Sequence, residues 1–275
     1  MEQQYLNLIR RILDCDTRDT RNGKVYSMFG AHLECDLSDG FPLLTTKRMF
    51  WKGIVEELAW FLRGSTNVEE LRAKKVHIWD GNSEAHHYDA GPVYGFQWRH
   101  FGADYTDCTT DYAGKGIDQI KYIIDTLKTD PMSRRMVLSA WCPSQQAQMC
   151  LPPCHVMYQF YVETDNRLSV QMTQRSSDVF LGLPFNIAST ALLTHLIAHQ
   201  VGLQPGRVLI HIGDAHIYQE HVQACQLQLK RVPCEQLPSL QIDRATDDTL
   251  WEVQDTDIDL QHYTPQKRIR APMIS

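Results

Sequence analysis

No run of this 275-residue chain approaches the roughly eighteen uninterrupted apolar residues of a membrane span. The opening Met1-Glu2-Gln3-Gln4-Tyr5 lacks the basic-then-apolar order of an export signal, so a soluble protein of the cytoplasm is expected. Basic residues are not in excess: 27 Lys and Arg stand against 33 Asp and Glu, a net charge of −6. That balance argues against a dedicated nucleic-acid partner, and any anion site must be assembled from locally clustered arginines. The eight cysteines, at 15, 35, 108, 142, 150, 154, 225 and 234, include no Cys-x-x-Cys pair, and a chain this long needs no staples, so they read as reduced thiols. Cys150-x₃-Cys154-His155 has no second ligand pair at a suitable spacing, and no metal is expected. Low-complexity tracts and internal repeats are missing too.

What is present is an ordinary globular composition, 43% apolar and 22% charged, enough for one large core or two small ones. Tyr5, Leu6, Ile9, Ile12 and Leu13 recur at helical spacing, predicting a first helix that ends near Asp14. A second helix is predicted over 54–63, closed by Gly64, and a third to about Lys75, opened by a Thr66/Glu69 capping box. Further helices are predicted over 116–129, over 186–201 with Gly202 as the stop, and over 216–231. Alternating apolar residues predict strands at 155–163 and 167–176, joined as a hairpin by Thr164-Asp165-Asn166, with others at 25–37, 136–141 and 207–212. The polar runs 80–92 and 102–115 do not resemble linkers, so residues 1–275 read as one α+β domain with helices on a large mixed or largely antiparallel sheet.

The chemistry concentrates where the predicted hairpin opens. Leu151-Pro152-Pro153-Cys154-His155 puts a thiol at a strand start, because two prolines exclude a helix there. Antiparallel return brings Arg175 of Gln174-Arg175-Ser176 beside it, and a cation favours thiolate. Arginines also occur at 18, 21, 134 and 135, where planar donors suit phosphate, with Ser176 adding a hydroxyl; Arg134-Arg135 reads equally as a solvated helix end. In Glu56-Glu57, inside an apolar helix, at most one side chain faces the core, and Glu57, flanked by Leu58 and Phe61, is the inward choice, able to act as general acid or base, while Glu56, four residues from Lys52, is the solvated one. Asn186 reads as a helix N-cap or as an amide that holds a base edge, and His216 and Tyr218 either pack or hold a sugar hydroxyl.

These residues fall into a wider pattern. Phe41-Pro42-Leu43-Leu44-Thr45-Thr46-Lys47-Arg48, Ile78-Trp79-Asp80, Gly91 through Ala103, Ser133-Arg134-Arg135, Pro152-Pro153-Cys154-His155, Gln174-Arg175-Ser176, Leu181 through Ser189 and Gly213 through Tyr218 follow one another as in the thymidylate synthases, which the chain closely resembles nearly end to end. Phe50-Trp51-Lys52-Gly53 and 94–103 are closer to the eukaryotic branch. The resemblance implies an obligate homodimer, formed through a sheet face, that methylates dUMP to dTMP with 5,10-methylenetetrahydrofolate as donor of both carbon and hydride. It implies Cys154 as nucleophile at carbon 6, Glu57 as proton-relay carboxylate, Tyr94 in the network that removes the carbon 5 proton, and Asn186 on the pyrimidine. By the same likeness Arg21, Arg175 and Ser176 bind phosphate with the partner's Arg134 and Arg135, and His216 and Tyr218 bind the deoxyribose. Ile78, Trp79, Asp178, Leu181, Gly182 and Phe185 contact folate, and the C-terminal residues order over both ligands.

Departures from the family pattern are Arg21-Asn22-Gly23-Lys24 in a phosphate loop one residue short, Trp141-Cys142-Pro143, Thr173 and the polar Ser275. Two rival readings follow: a dUMP hydroxymethylase, in which water replaces hydride, and a catalytically silent nucleotide- or RNA-binding paralogue. An asparagine at 186 favours uracil, Trp79 favours methylation, and the acidic charge disfavours RNA.

Overall fold

The computed structural model describes residues 1–246 and 248–274. Among these residues there are eight strands, β1 (Thr17–Thr20), β2 (Gly23–Asp36), β3 (Val137–Ser139), β4 (His155–Val162), β5 (Arg167–Asp178), β6 (Gln204–Tyr218), β7 (Ser239–Ile242) and β8 (Ile258–Gln261), and eight α-helices. The helices are α1 (Glu2–Leu13), α2 (Trp51–Leu62), α3 (Glu69–Ala73), α4 (Asp80–Ser83), α5 (Tyr94–His100), α6 (Gln119–Thr129), α7 (Gly182–Val201) and α8 (Val222–Leu229). Six strands form one sheet in the order β1-β2-β6-β5-β4-β3, antiparallel throughout except for the parallel β5–β6 pair, and β7 pairs with β8 apart from it. This is a mixed α+β fold with a large, mostly antiparallel sheet packed with helices.

Alternation decides which face is covered. Leu33, Tyr158, Phe160, Val170, Met172, Val208, Ile210 and Ile212 point inward and are buried with Leu192, Leu193, Leu196 and Ile197 of α7. Helix α7 is apolar on nearly every side, which suits a helix enclosed by the domain rather than one lying on its surface. On the other face His32, Glu34, Gln159 and Tyr161 are exposed, Tyr161 at 55%. Among the described residues no helix is long and apolar enough to cross a membrane.

Three local expectations are corrected. Strand β6 runs on to Tyr218, so His216 and Tyr218 sit at a strand end, and helix begins only at Val222; pairing of β6 with β2, Tyr218 opposite Val25, outcompetes the helical spacing. Helix α7 starts at Gly182, not Asn186, because Asp178 Oδ1 accepts from the backbone N–H of Phe180 at 2.9 Å and of Leu181 at 3.1 Å and forms the entry turn. The Thr66/Glu69 capping box does not form: the Thr66 hydroxyl pairs with that of Tyr105 at 2.8 Å, and Asn67 Oδ1 takes the Glu69 N–H at 3.0 Å.

Candidate active site

The prolines at 152 and 153 have no N–H to give to a ladder, and their carbonyls are bound by one side chain. Arg175 donates Nε–H to the Pro153 carbonyl and a terminal N–H to that of Pro152, both at 2.8 Å, while its backbone N–H reaches the Cys154 carbonyl at 2.8 Å. The hairpin therefore delivers the guanidinium to the thiol, as its sequence implied. Burial pushes the Cys154 thiol above its ordinary value, and Arg175 and Tyr94 pull against that rise.

Tyr94 follows Gly91-Pro92-Val93 at the start of α5, and its hydroxyl accepts the Cys154 N–H at 2.7 Å. Its ring lies 4.3 Å from that of His155 and 5.9 Å from that of Trp79. Trp79 in turn donates its indole N–H to Glu57 Oε1 at 2.7 Å. Burial pushes the Glu57 carboxyl up to about 7, the indole opposing it, so this group exchanges a proton near neutrality. His155 is pushed down to about 3 by burial, which keeps it neutral beside the Tyr158 hydroxyl at 2.9 Å. Thiol, phenol, indole and carboxyl thus form one connected wall.

The neighbouring carboxylate is also buried, contrary to expectation. Glu56 is 1% exposed and pairs with Lys74 Nζ at 2.6 Å, a partner beyond the reach of helical spacing rules. Glu57 meets Trp79 as an inward side chain would, whereas Glu56, expected to be solvated, is the more deeply buried of the two.

Opposite that wall, Asn186 lies in the first turns of α7, and its Oδ1 accepts from Gln174 Nε2 at 2.8 Å. Gln174 is 2% exposed and sits on the inward face of β5; its Oε1 and the Ser177 hydroxyl are buried without hydrogen-bond partners among the described residues. Gln174 was not singled out as a site residue, although a glutamine at an inward strand position between Met172 and Asp178 is the signal that marks it. Lys47 was missed as well: it is 5% exposed, lies 3.6 Å over the Phe180 ring, donates to the Phe180 carbonyl and is pushed down to about 7 by burial.

Ile78 beside Trp79, and Leu181, Gly182 and Phe185 at the entry of α7, are half-buried, and Leu181 donates its backbone N–H to the Asp178 carboxylate. His216 packs edge-on to Tyr218 at 5.2 Å, with Nδ1 3.3 Å from Asp214 Oδ1. Arg18 is committed to Asp214, which also accepts from Ser27 at 3.0 Å. Arg21 is exposed on the β1–β2 turn, bonded to Asn22 at 2.9 Å. Arg134 and Arg135 are exposed ahead of β3 and make no side-chain hydrogen bond among the described residues. Ser176 is half-buried, and Ser275 lies outside the described residues.

A cysteine at a strand start beside a guanidinium, with a near-neutral carboxyl and an oriented amide in the same fold, is the equipment that enzymes using a nucleophilic cysteine need, here on an α+β scaffold. The family follows from comparison: residues 3–275 match the family model described as thymidylate synthase, and the chain belongs to that family. It is 48% identical over 285 aligned residues to the thymidylate synthase of Homo sapiens, covering 99% of this chain and 90% of that protein. It is 47% identical to the thymidylate synthase of human herpesvirus 8, covering 99% and 84%. The bifunctional dihydrofolate reductase-thymidylate synthase of Zea mays is also 47% identical, and there the chain spans 54% of the longer protein.

Proposed function

We propose that this protein is a methyltransferase that converts dUMP to dTMP with 5,10-methylenetetrahydrofolate, releasing dihydrofolate. The observation that carries the reading is the chain of contacts from the Cys154 backbone N–H to the Tyr94 hydroxyl, from the Tyr94 ring to Trp79 and from its indole to Glu57, inside a chain that matches the family over residues 3–275. Cys154 adds through sulfur to carbon 6 of the pyrimidine, which makes carbon 5 the nucleophile, and leaves again when product forms. Asn186, its carbonyl engaged by Gln174, turns its amide N–H groups to the pyrimidine carbonyl and stabilises charge there. Glu57, with its carboxyl at about 7, relays protons, and Tyr94 orders the path from carbon 5.

Arg21, Arg175 and Ser176 hold the phosphate from one subunit, and Arg134 and Arg135 reach it from the other. The open sheet face with His32 and Tyr161 is the homodimer surface, and the whole chain acts as one catalytic domain in the cytoplasm. His216 and Tyr218 take the deoxyribose hydroxyl. The apolar rim of Ile78, Trp79, Leu181, Gly182 and Phe185 beside Asp178 suits a flat heteroaromatic ring bearing N–H groups. Folate bound there supplies the one-carbon unit and the hydride, while the rim excludes water.

Incubation with fluoro-dUMP and methylenetetrahydrofolate tests the reading. Fluorine does not leave as a proton, so a covalent ternary adduct on Cys154 is expected in the intact mass. Absence of that adduct, or formation of hydroxymethyl-dUMP from dUMP, overturns it.

A further inference from the structure

His221 closes the short turn between β6 and α8, and its side chain is fully buried. The rings of Phe180 and Tyr218 lie 5.5 Å away. Its Nε2 is 2.8 Å from the Pro272 carbonyl oxygen, and its Nδ1 is 3.6 Å from Asp178 Oδ1. Beyond Lys267, whose carbonyl accepts from Arg231 at 2.6 Å, the Pro272 carbonyl is the one backbone group of the C-terminal segment held by a hydrogen bond among the described residues. We propose that His221 is a positioning residue that fastens the C-terminal segment to the site by gripping Pro272 with one ring nitrogen and facing Asp178 with the other. The inference rests on the reading of Asp178 as a folate contact.

Hydrogen-bond chemistry dictates the state of the ring. A carbonyl only accepts, so Nε2 must carry a proton. A neutral ring then turns the Nδ1 lone pair toward a carboxylate, while a cationic ring turns an N–H toward it. Burial opposes the cation, but Asp178 and the Pro272 carbonyl outweigh it and raise His221 above its ordinary value of 6.5. The charged and titratable groups facing the ring are Asp178 from β5, Tyr218 from β6 and Lys47 from the segment before α2, and Lys47 works against the cation. The grip is therefore charge-assisted below the raised pKa and weakens as pH rises through it.

Trypsin reads the grip without any turnover, because a protease takes its target as a locally unfolded, extended segment, so cutting after the exposed Arg270 reports lifting of the chain. In ligand-free protein, His221→Ala should lose residues 271–275 about tenfold faster or more, as expected for removal of a charge-assisted hydrogen bond. His221→Gln keeps an N–H donor near the Nε2 position and should restore most of the protection. Normalised to trypsin's rate on a small peptide substrate at the same pH, wild-type cleavage should accelerate as pH rises above 6.5, and that of the glutamine variant should stay flat. In steady state, His221→Ala should raise the folate KM about tenfold and leave the dUMP KM within about twofold. Wild-type cleavage rates in a folded His221→Ala protein overturn the latch, as does a glutamine variant that keeps the wild-type pH profile. Faster cleavage with an unchanged folate KM overturns its role at the folate side. If His221→Ala does not fold, the pH profile of the glutamine variant decides. If the wild-type protein forms no dTMP, the functional reading fails and the trypsin experiment still decides the latch.

Discussion

The indole N–H of Trp79 donates to Glu57 Oε1 at 2.7 Å, and this is the hydrogen bond that ties a carboxyl at about 7 into the cleft. The folded protein holds the Glu57 proton between the ordinary value of 4.5 and about 7, a range in which the unfolded chain has lost it. Stability from this group is therefore full below 4.5 and declines as pH rises toward 7. Glu57→Gln removes that slope. The melting temperature of the glutamine variant relative to wild type should climb across this window while turnover collapses; a difference that does not vary with pH refutes the buried-carboxyl reading.

Arg175 is the cation that acts on Cys154 and the donor that holds Pro152 and Pro153. In Arg175→Ala the thiol keeps its burial but loses the charge opposing it, so the pH midpoint for iodoacetamide labelling of Cys154, followed by peptide mass, should move upward. Cys154→Ser should lower turnover by roughly 10³ or more with the fold intact. Unchanged turnover in the serine variant rules out a covalent route.

Gln174 holds the Asn186 carbonyl and so fixes which way the amide points, toward the pyrimidine in the proposed reaction. Gln174→Ala frees the amide to rotate, and the dUMP KM should rise about tenfold, the scale of a lost buried hydrogen bond with one partner stranded. Asn186→Asp replaces donors with an acceptor, so dUMP turnover should fall while binding of dCMP, whose amino group donates, should improve. Equal loss for both nucleotides counts against a base-reading role.

The strands around the site were legible because they obey a local rule. Val156, Tyr158, Phe160 and Val162 alternate, Thr164-Asp165-Asn166 turns, and β4 and β5 appear within two residues of their expected ends. Cys154 and Arg175 meet as that hairpin requires. Failures arose where a distant partner decided the outcome. Nothing near Glu56 announces Lys74 at the end of α3, and nothing in Gly213 through Tyr218 reveals that β2 supplies a strand to pair with. The tie between His221 and Pro272, spanning 51 positions, is of the same kind. The proposed crossing of Arg134 and Arg135 to a partner's site comes from family likeness alone, since within one chain both are exposed.

The Glu56–Lys74 pair makes a stability prediction distinct from chemistry at the cleft. Lys74→Met leaves a carboxylate at 1% exposure without its cation, and removing one partner of a buried pair costs about 3 kcal/mol. Lys74 itself is partly exposed, so water reaches the vacated position and the loss should fall at the low end of such cases. The double variant Glu56→Gln, Lys74→Met should recover most of that loss in urea melts, with dUMP turnover unaffected at saturating substrate. A double variant as unstable as the single one means that the pair's surroundings, not its charge, hold the two helices together.

The proposal that two subunits complete each site makes the strictest demand. A Cys154→Ser chain retains its arginines, and an Arg134→Ala, Arg135→Ala chain retains its thiol; each homodimer should be nearly inactive. Unfolded together and refolded at equal amounts, they pair at random, and half of the dimers carry one chain of each kind. In such a dimer the thiol of the second chain meets the arginines of the first, giving one complete site of two. Activity should therefore return to about a quarter of the wild-type value, a number set by the symmetry of an isologous dimer. Recovery requires shared sites, because two self-contained sites cannot repair one another. If the mixture stays as inactive as its components, while size-exclusion chromatography shows dimers, the arginines act within their own chain and the crossing arrangement is wrong.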